Sequence, residues 1–412
     1  MKDPHTLKSA ILECPPAEPS GPAPVLSLRV LRTLPELESL RGVWTSWKGH
    51  RDSDIDFFIE LVESREEVLR PHVIVVYRQG RIDALLVGRL ENTRIHSKVG
   101  YLSVPGLPAR SLVFSYGGFR GNPSPENSTE FVKSIIASLK DNEADIASLD
   151  HLQMESPLCH RALTLPAFAT RDHFAKPETH YLMALPENMA AVYKGLSNNH
   201  RWELRRKSKR FLSIYGDKAK VRCFREAADV DVLMPEIEAV ARKTYQRGLG
   251  VGFQDTEQMR RRLRLCAAKG WLRGYILQVS NVPVAFWIGT AYNGSFCSDY
   301  LGFDPGYGEY SPGTFLLTKV IEDLCSNGIA EIDFGFGDAR YKGRFGNRQL
   351  AETTVRIFAP SPKGVTLNLI LTLTVATNHA FNTALERTRL LPIIKRYWRG
   401  RLARGSGRQQ LD

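Results

Sequence analysis

The stretch SDYLGFDPGYGEYSPGTFLLTKVIEDLCSNGIAEIDFGFGD, residues 298–338, combines a strand pattern, a glycine-rich loop, a helix pattern and a second strand pattern. Pro312 favours a helix start, because the missing N–H of proline would be unpaired at the first helical position in any case. Asn327 and Gly328 favour the left-handed end of that helix. Three apolar residues recur every four positions between these limits: Leu316, Val320 and Leu324. The stretch therefore predicts a strand–loop–helix–strand unit.

The loop before this helix has the composition of an anion-binding site. At a helix N-terminus the first N–H groups lack intrahelical acceptors, and the helix dipole adds partial positive charge. We expect the N–H groups of Gly313, Thr314 and Phe315 to be free, with Tyr310 and Ser311 completing the loop. Because Gly313 has no side chain to block a ligand, the loop predicts a pyrophosphate site. The alternative is an ordinary strand-to-helix turn without a ligand.

The order of predicted elements occurs twice in the chain. A strand, helices, an antiparallel hairpin, a strand, a helix and a strand fit residues 25–190, and the same order fits residues 191–360. The equivalent loop of the first copy, GNPSPENSTE, has Glu126 and Glu130 near the helix start, where they would repel a phosphate. The pattern predicts an α/β (α+β) chain with two similar units, of which the second holds the anion site.

Three segments of the chain resemble one family: GEYSPGTFLL, IDFGFGDARYKGRFGN and HRWELRRKSKR. By these segments the chain resembles the GNAT superfamily of acyl-CoA transferases, specifically the tandem-domain branch that is similar to Fem-type aminoacyltransferases and to acetyltransferase domains of cellulose and exopolysaccharide loci. The resemblance implies two tandem GNAT-like units, each a mixed, mostly antiparallel sheet flanked by helices. It implies a degenerate first domain on the acceptor side and a second domain that binds acetyl-CoA or another acyl-CoA. GEYSPGTFLL departs from the usual Q/R-x-x-G-x-G/A loop of the superfamily.

Asp299 is the first candidate catalytic residue. In the strand SFCSDYLGF, the two-residue period puts Asp299 on one face with Cys297, Leu301 and Phe303. Burial on an apolar surface would raise the pKa of its carboxyl group, which suits a general base for an amine. The alternative is an outward-facing Asp299 that is solvated or paired with an arginine.

The segment DARYKGRF adds Asp338, Tyr341 and Lys342 beyond the carboxyl end of the next strand, where reactive groups gather in such sheets. A Tyr341 hydroxyl can protonate a departing thiolate, and Lys342 can hold a phosphate or a carboxylate. By resemblance, the Tyr-Lys pair matches a recurring feature of the tandem branch. We expect this strand to lie parallel to SFCSDYLGF and to leave a crevice between the two strands, where an extended thioester arm fits. Glu331 and Asp333 alternate with apolar residues on the strand itself, so a carboxylate facing the crevice is also available.

Positive charge is concentrated in two segments of the 412 residues. The net charge is +12; residues 201–210 contain six basic residues and one acidic residue, and residues 387–412 contain eight basic residues and one acidic residue. Arg201 and Arg205 lie four residues apart on one face of a predicted helix, and we expect them to bind substrate. The alternative for both segments is a solvated helix face.

The two ends of the chain and its cysteines bear on the compartment. Residues 1–24 are rich in proline and predict a flexible tail without an apolar signal sequence. Six dispersed cysteines fit neither a disulfide framework nor a zinc ribbon, which indicates the cytoplasm. No histidines cluster at metal-ligand spacing, so we expect no metal. Residues 361–412 predict a basic amphipathic segment that either contacts the inner membrane peripherally or packs on the body and ends in a solvated tail.

Together these features predict an N-acyltransferase, in the simplest case an acetyltransferase, that moves an acyl group from acyl-CoA to an amine. The resemblance suggests an acceptor of the cell envelope or of polysaccharide biosynthesis, either a small molecule or a glycan or peptide. The first alternative is a Fem-like transferase that uses aminoacyl-tRNA, with the basic helix on the RNA backbone. The second alternative, from another class, is a non-catalytic envelope-assembly protein at the membrane surface.

Overall fold

A computed structural model describes residues 26–99, 102–248, 252–337 and 339–387 of the chain. Its strands and helices follow one another in two successive groups, which we call the first run (residues 26–184) and the second run (residues 189–387). The first run consists of β1 (Leu26–Leu31), α1 (Leu34–Glu38), α2 (Arg41–Ser46), α3 (Ile55–Ser64), β2 (Val68–Pro71), β3 (Val73–Arg78), β4 (Arg81–Val99), β5 (Leu102–Gly121), α4 (Pro125–Lys140), β6 (Ile146–Gln153), α5 (Pro157–Thr164) and β7 (Glu178–Ala184). The second run consists of α6 (Met189–Gly195), α7 (Asn198–Tyr215), β8 (Ala219–Phe224), α8 (Val230–Ala241), α9 (Tyr245–Gly248), α10 (Glu257–Ala268), β9 (Leu272–Val279), β10 (Val282–Tyr292), β11 (Ser295–Phe303), α11 (Pro312–Ser326), β12 (Glu331–Phe336), α12 (Arg340–Phe345), β13 (Arg348–Phe358) and α13 (Pro362–Arg387).

Two-residue turns join the hairpins that the sequence predicts in each run. Gln79 and Gly80 connect β3 to β4 with φ of 53° and 75°, and Asn293 and Gly294 connect β10 to β11 with φ of 48° and 80°. Positive φ at both central residues matches the right-handed twist of the flanking strands. Each turn therefore fixes the register of one antiparallel pair.

The described strands form one sheet of thirteen strands. Its order is β1-β3-β4-β5-β6-β13-β7-β12-β11-β10-β9-β8, and β2 pairs with β4 outside this path. Neighbouring strands are antiparallel except for β5 with β6 and β11 with β12, which are parallel. The predicted fold class, a mixed and mostly antiparallel α/β arrangement with flanking helices, is confirmed.

The last strand of each run completes the sheet of the other run. β7 ends the first run in sequence but pairs with β12 of the second, and β13 of the second run pairs with β6 of the first. The two exchanged strands also pair with each other at the centre of the sheet. Backbone hydrogen bonds therefore join the two halves directly. The predicted domain limits, 25–190 and 191–360, stay a prediction, because the sheet continues across them.

Helices bury apolar side chains on both faces of the sheet. The predicted apolar face of α11 packs under β9, β10 and β12, where Leu316, Val320 and Leu324 are buried. α8 and α10 cover the opposite face of β9 and β10, because Ile276 and Phe286 point to that side. In the first run, α4 and α5 pack on β3 to β6 and on the exchanged strand β13. The exchanged strand thus shares the apolar core of the half that it joins.

α13 packs on the first run with one face, and apolar side chains on its other face are exposed to solvent. Leu367 is buried against a cluster that includes Ala109 and Phe358, whereas Leu369 and Leu373 are each 56% exposed. No helix in the described part of the chain is long and apolar enough to cross a bilayer. The predicted tail, residues 1–24, and the basic end, residues 388–412, lie outside the described residues. Peripheral contact of the C-terminal segment with a membrane therefore stays a prediction.

We expect the chain to unfold in one cooperative transition, although chains with two units commonly unfold in steps. Neither half can lose its exchanged strand without opening the sheet of the other half. Buried Trp44 reports on the first run and buried Trp287 on the second. Urea unfolding of the Trp44→Phe and Trp287→Phe variants is followed by tryptophan fluorescence, and circular dichroism reports on the secondary structure of both runs. Two transitions with separate midpoints would contradict this coupling.

Candidate active site

β11 and β12 pair over only three residues and then diverge. Their parallel pairing ends at Cys297 and Asp333, although β11 continues to Phe303 and β12 to Phe336. Beyond Cys297, β11 pairs only with β10 among the described residues. Its backbone groups on the β12 side therefore have no strand partner and are available to a ligand. The crevice that the order of elements predicts is present.

A bulge in β11 changes which side chains face this crevice. The pairing of β11 with β10 skips Asp299, which is the extra residue of the bulge. Cys297 and Asp299 contact side chains of the first run, whereas Leu301 packs into the cluster under α11. The expectation that Cys297, Asp299, Leu301 and Phe303 share one face is therefore wrong, because the bulge interrupts the two-residue alternation.

A cavity of about 160 Å³ lies in the crevice and brings together three predicted site residues. Asp299, Tyr341 and Lys342 line it, and four aromatic side chains line it as well: Phe253, Phe286, Tyr300 and Phe334. The Lys342 ammonium donates to the carbonyl oxygen of Phe336, and burial lowers the pKa of Lys342. Asp338, also predicted as catalytic, lies outside the described residues.

Asp299 is an ion-paired carboxylate that joins the two runs. Arg51 donates to its two oxygens at 2.8 and 2.9 Å, and Arg262 donates to Oδ1 at 2.7 Å. Arg51 belongs to a 3₁₀ turn, Arg51–Ser53, of the first run, and its side chain is only 7% exposed. The hydroxyl of Thr290 donates to Asp299 as well. These donors occupy both oxygens, so the structure favours the arginine-paired alternative over the general base.

The N-terminus of α11 differs from its counterpart in the first run. In α4 the Ser124 side chain accepts the N–H of Asn127 at 3.1 Å and so caps the helix. In α11 the corresponding Ser311 has φ 56° and ψ 48° and makes no side-chain cap. Left-handed φ is uncommon for serine and is a feature of functional loops. This difference favours the second run as the anion site.

The set of free donors at this helix end is smaller than predicted. The N–H groups of Thr314 and Phe315 donate to the Ser311 carbonyl at 3.1 and 3.2 Å, so the expectation that both are free is wrong. The N–H of Gly313 has no acceptor among the described residues. The Phe303 ring lies beside Gly313, 3.1 Å from where a Cβ of that residue would be. The ring therefore narrows the space through which an anion reaches the Gly313 N–H. An anion here meets one free N–H and the helix dipole.

The basic face of α7 is not directed at the crevice. Arg201 donates to the Leu196 carbonyl at 3.1 Å, just beyond α6, and the Arg205 guanidinium lies 5.2 Å from the centre of the Tyr193 ring. Neither arginine lines the cavity between β11 and β12. Both arginines hold α7 against α6 through these contacts, so the structure does not support their predicted role in substrate binding. Tyr310 of the loop packs under Arg210 at the other end of α7.

A hydrogen-bonded cluster lies at the apex of the crevice, by which we mean the point where β11 and β12 stop pairing, at Cys297 and Asp333. The exchanged strands β7 and β13 contribute to it. Oδ1 of Asp333 on β12 lies 2.5 Å from Nε2 of His180 on β7. Nδ1 of His180 lies 3.0 Å from the Tyr116 hydroxyl of β5 and 3.3 Å from the Glu352 carboxylate of β13. His180 is 1% exposed. The sequence identified only Asp333, because the other members come from distant strands.

Burial and charge act in opposite directions on this cluster. Burial disfavours the imidazolium form of His180, but the hydrogen bonds and charges of Asp333 and Glu352 outweigh it and raise the His180 pKa to about 9. Burial also disfavours the Asp333 carboxylate, but the hydrogen bond and charge of His180 outweigh it and hold the Asp333 pKa well below its usual range. At neutral pH the cluster therefore contains an imidazolium between carboxylates.

A second cavity, of about 350 Å³, lies in the first run where β5 and β6 diverge. His50, Tyr116 and Glu352 line it, together with Asp150 and His151. Burial raises the pKa of Asp150. Since Glu352 also bonds to His180, hydrogen bonds link this cavity to the apex of the crevice in the second run.

The comparisons with known proteins agree with this geometry. Residues 198–343, which include β11, α11 and β12, match the family model of the acetyltransferase (GNAT) domain. This part of the chain is a GNAT domain. The predicted class, a GNAT-type acyltransferase, is thereby confirmed. No curated protein matches the chain by sequence.

Solved structures similar to the chain extend over both runs. FemX is 9% identical, with 81% of this chain and 97% of FemX covered at a TM-score of 0.53. A tandem GNAT protein from the clavulanic acid biosynthesis pathway is 8% identical, with 82% and 99% covered at 0.45. L-PGS from Bacillus licheniformis is 12% identical, with 84% and 98% covered at 0.46. At such identities the likeness to FemX shows the fold of both units and not the substrate.

The raised pKa of His180 makes stability depend on pH. The folded chain binds the proton more tightly than an unfolded histidine of pKa about 6.5, so this contribution is complete below about pH 6.5 and is lost as pH rises through about 9. We expect the free energy of unfolding to fall by up to about 3 kcal/mol over this range.

Chemical denaturation at several pH values measures this effect. His180→Gln should remove the dependence, and the exposed His160→Gln variant should keep it as a control. A difference between the wild type and His180→Gln that stays constant with pH would contradict the assignment.

Proposed function

We propose that this protein is an N-acyltransferase that moves an acyl group, in the simplest case acetyl, from acyl-CoA to an amine of a cell-envelope or polysaccharide-related acceptor. The GNAT domain supports the general activity and acyl-CoA as the class of donor. The observation that carries the proposal is the divergence of β11 and β12 beyond Cys297 and Asp333, beside the uncapped end of α11.

The donor fits the crevice of the second run. Acyl-CoA supplies an activated thioester on an extended arm, and the unpaired edge of β11 offers backbone groups to such an arm. N–H groups fixed at this edge can also polarise the thioester carbonyl as negative charge develops on its oxygen. The pyrophosphate would lie at Gly313, where the helix dipole and one free N–H favour negative charge.

Tyr341 and Lys342 are the polar side chains that we assign to the thiolate end of the crevice. Both line the cavity beside Phe334 and the bulged part of β11. The Tyr341 hydroxyl is a suitable donor to the departing sulfur, which leaves as a thiol after protonation. Lys342 is held by the Phe336 carbonyl, and its positive charge stabilises a developing thiolate nearby.

The acceptor fits the cavity of the first run. Asp150 gives this cavity a carboxylate that attracts an ammonium group, whereas the Glu352 carboxylate is already paired with His180. The acceptor must lose a proton before it attacks, and the raised pKa of Asp150 suits that carboxylate to take it. These features support an amine acceptor over a neutral or anionic one.

The two alternative functions have less support. A transferase that uses aminoacyl-tRNA needs the basic face of α7 free for RNA, but Arg201 and Arg205 make internal contacts. A non-catalytic envelope protein needs no crevice with polar side chains beside a GNAT helix end. The peripheral membrane contact expected for residues 361–412 is compatible with the enzyme as well.

Donor binding is tested by thermal melting with acetyl-CoA. Ligand at about 100 times its Kd adds about 2.7 kcal/mol to the free energy of unfolding. We expect Gly313→Leu to lose the ligand-induced increase, because the added side chain occupies the space in front of the free Gly313 N–H. Without ligand the variant should melt near the wild type, because Phe303, which the new Cβ contacts, is 41% exposed and can move outward. Gly42→Leu is the control, since a Cβ at Gly42 has no neighbour within 4 Å. An unchanged ligand response in Gly313→Leu would count against this donor site.

Proton donation is tested by steady-state kinetics with a panel of amines. We expect Tyr341→Phe to lower kcat by roughly 10²-fold or more, with little change in the KM for acetyl-CoA, because the hydroxyl acts on the leaving sulfur. Tyr300→Phe is the matched control, since Tyr300 lines the same cavity and packs on Phe253. Equal kcat values for the two variants would remove Tyr341 from the mechanism.

A further inference from the structure

The apex of the crevice brings together three kinds of transition-metal ligand. Nε2 of His50, Sγ of Cys297 and a carboxylate oxygen of Asp333 lie within 4.8 Å of one another. The separation from Nε2 to Sγ is 3.6 Å, and that from Nε2 to Oδ2 of Asp333 is 3.7 Å. The second distance exceeds that of an N–H···O hydrogen bond, about 2.7–3.2 Å.

These separations are close to those between ligands of one tetrahedral ion. With bonds of about 2.0–2.3 Å to nitrogen, oxygen and sulfur, two ligands of Zn²⁺ lie about 3.3–3.6 Å apart. We propose that His50, Cys297 and Asp333 bind one zinc ion. His50 also lines the cavity of the first run, and we place the fourth position, held by water or by an atom of a substrate, on that side. Three protein ligands and one open position are the pattern of reactive zinc sites.

Neighbouring groups orient two of the ligands. Oδ1 of Asp333 accepts from the N–H of Gly335 at 2.7 Å and contacts His180, which turns Oδ2 toward His50. Nδ1 of His50 accepts from the backbone N–H of Asp52 at 3.2 Å and lies 3.6 Å from the Asp52 carboxylate. A metal ion on Nε2 requires the other tautomer of His50, in which Nδ1–H donates to that carboxylate.

The charges also fit a dication. A thiolate and a carboxylate supply two negative charges, which balance Zn²⁺. A bound cation stabilises the thiolate form that a cysteine ligand must adopt. The expectation of no metal rested on sequence spacing, whereas these ligands come from three remote segments. The ion would join the first run, through His50, to the second run.

Metal analysis and cobalt substitution of the full-length protein test this site without any acyl donor, so the result is independent of the proposed enzymatic activity. Protein purified from zinc-supplemented cells should hold about one zinc per chain after gel filtration. Replacement by Co²⁺ should give the visible absorption of a tetrahedral ion and a near-ultraviolet thiolate-to-cobalt band.

Variants assign the ligands. Cys297→Ser should abolish the thiolate band, and His50→Gln should lower zinc affinity at least tenfold. Cys266→Ser should retain both signals, because buried Cys266 lies near Thr290 and is not one of the three ligands. If Cys297→Ser fails to fold, the stoichiometry and the cobalt spectrum of the wild type still decide. A folded wild type without zinc and without the thiolate band, or a band that persists in Cys297→Ser, would overturn the proposal.

Discussion

The parallel pairing of β11 and β12 stops after three residues, and the crevice depends on that interruption. On β11, the bulge at Asp299 takes one residue out of the pairing with β10. On β12, Gly335 has φ 67° and the pairing with β7 shifts by one residue beside Asp333. The two deviations lie at the same level of the sheet, so the strands part there. The open edge of β11 and the cavity both result from this separation.

The strand exchange gives the apex a polar interior. Because β7 and β13 cross between the halves, His180 and Glu352 lie next to Asp333 in the middle of a thirteen-stranded sheet. Buried charges of this kind are tolerated only when each has a partner, and removal of one partner is costly. Arg51 and Asp299 join the halves in the same way on the neighbouring strand. Asp299, which takes part in these contacts between the halves, also lines the cavity assigned to the donor.

Local signals in the sequence predict a large part of the fold. Pro312 marks the start of α11, and the Gln79-Gly80 and Asn293-Gly294 turns define two hairpins, because each depends on the conformation of one or two residues. The bulge at Asp299 is not predictable in this way, since it follows from packing against β10 and Arg51. The left-handed Ser311 is equally hidden, because serine before proline is typical of an ordinary cap.

The candidate site is the part that the sequence predicts least. Asp299, Tyr341 and Lys342 meet in one cavity, as expected for residues at the ends of two neighbouring strands. His50 and His180 were not identified, because no local pattern indicates that the chain returns them to Asp333. The position of His180 follows from the exchange of β7 and β13, which depends on contacts between the halves rather than on the propensity of either strand. His50 lies in the first run, directly before the 3₁₀ turn Arg51–Ser53, and reaches Asp333 only through the packing of the two halves.

Hydrogen–deuterium exchange with and without CoA measures most directly whether the interrupted pairing forms the donor site. Backbone N–H groups on the open edge of β11 should exchange readily in the free protein and become protected by the ligand. We expect protection in residues 298–303 and at the start of α11, residues 311–315. Protection confined to residues 115–121 and 150–153 of the first run, or no protection at saturating CoA, would contradict a donor site between β11 and β12.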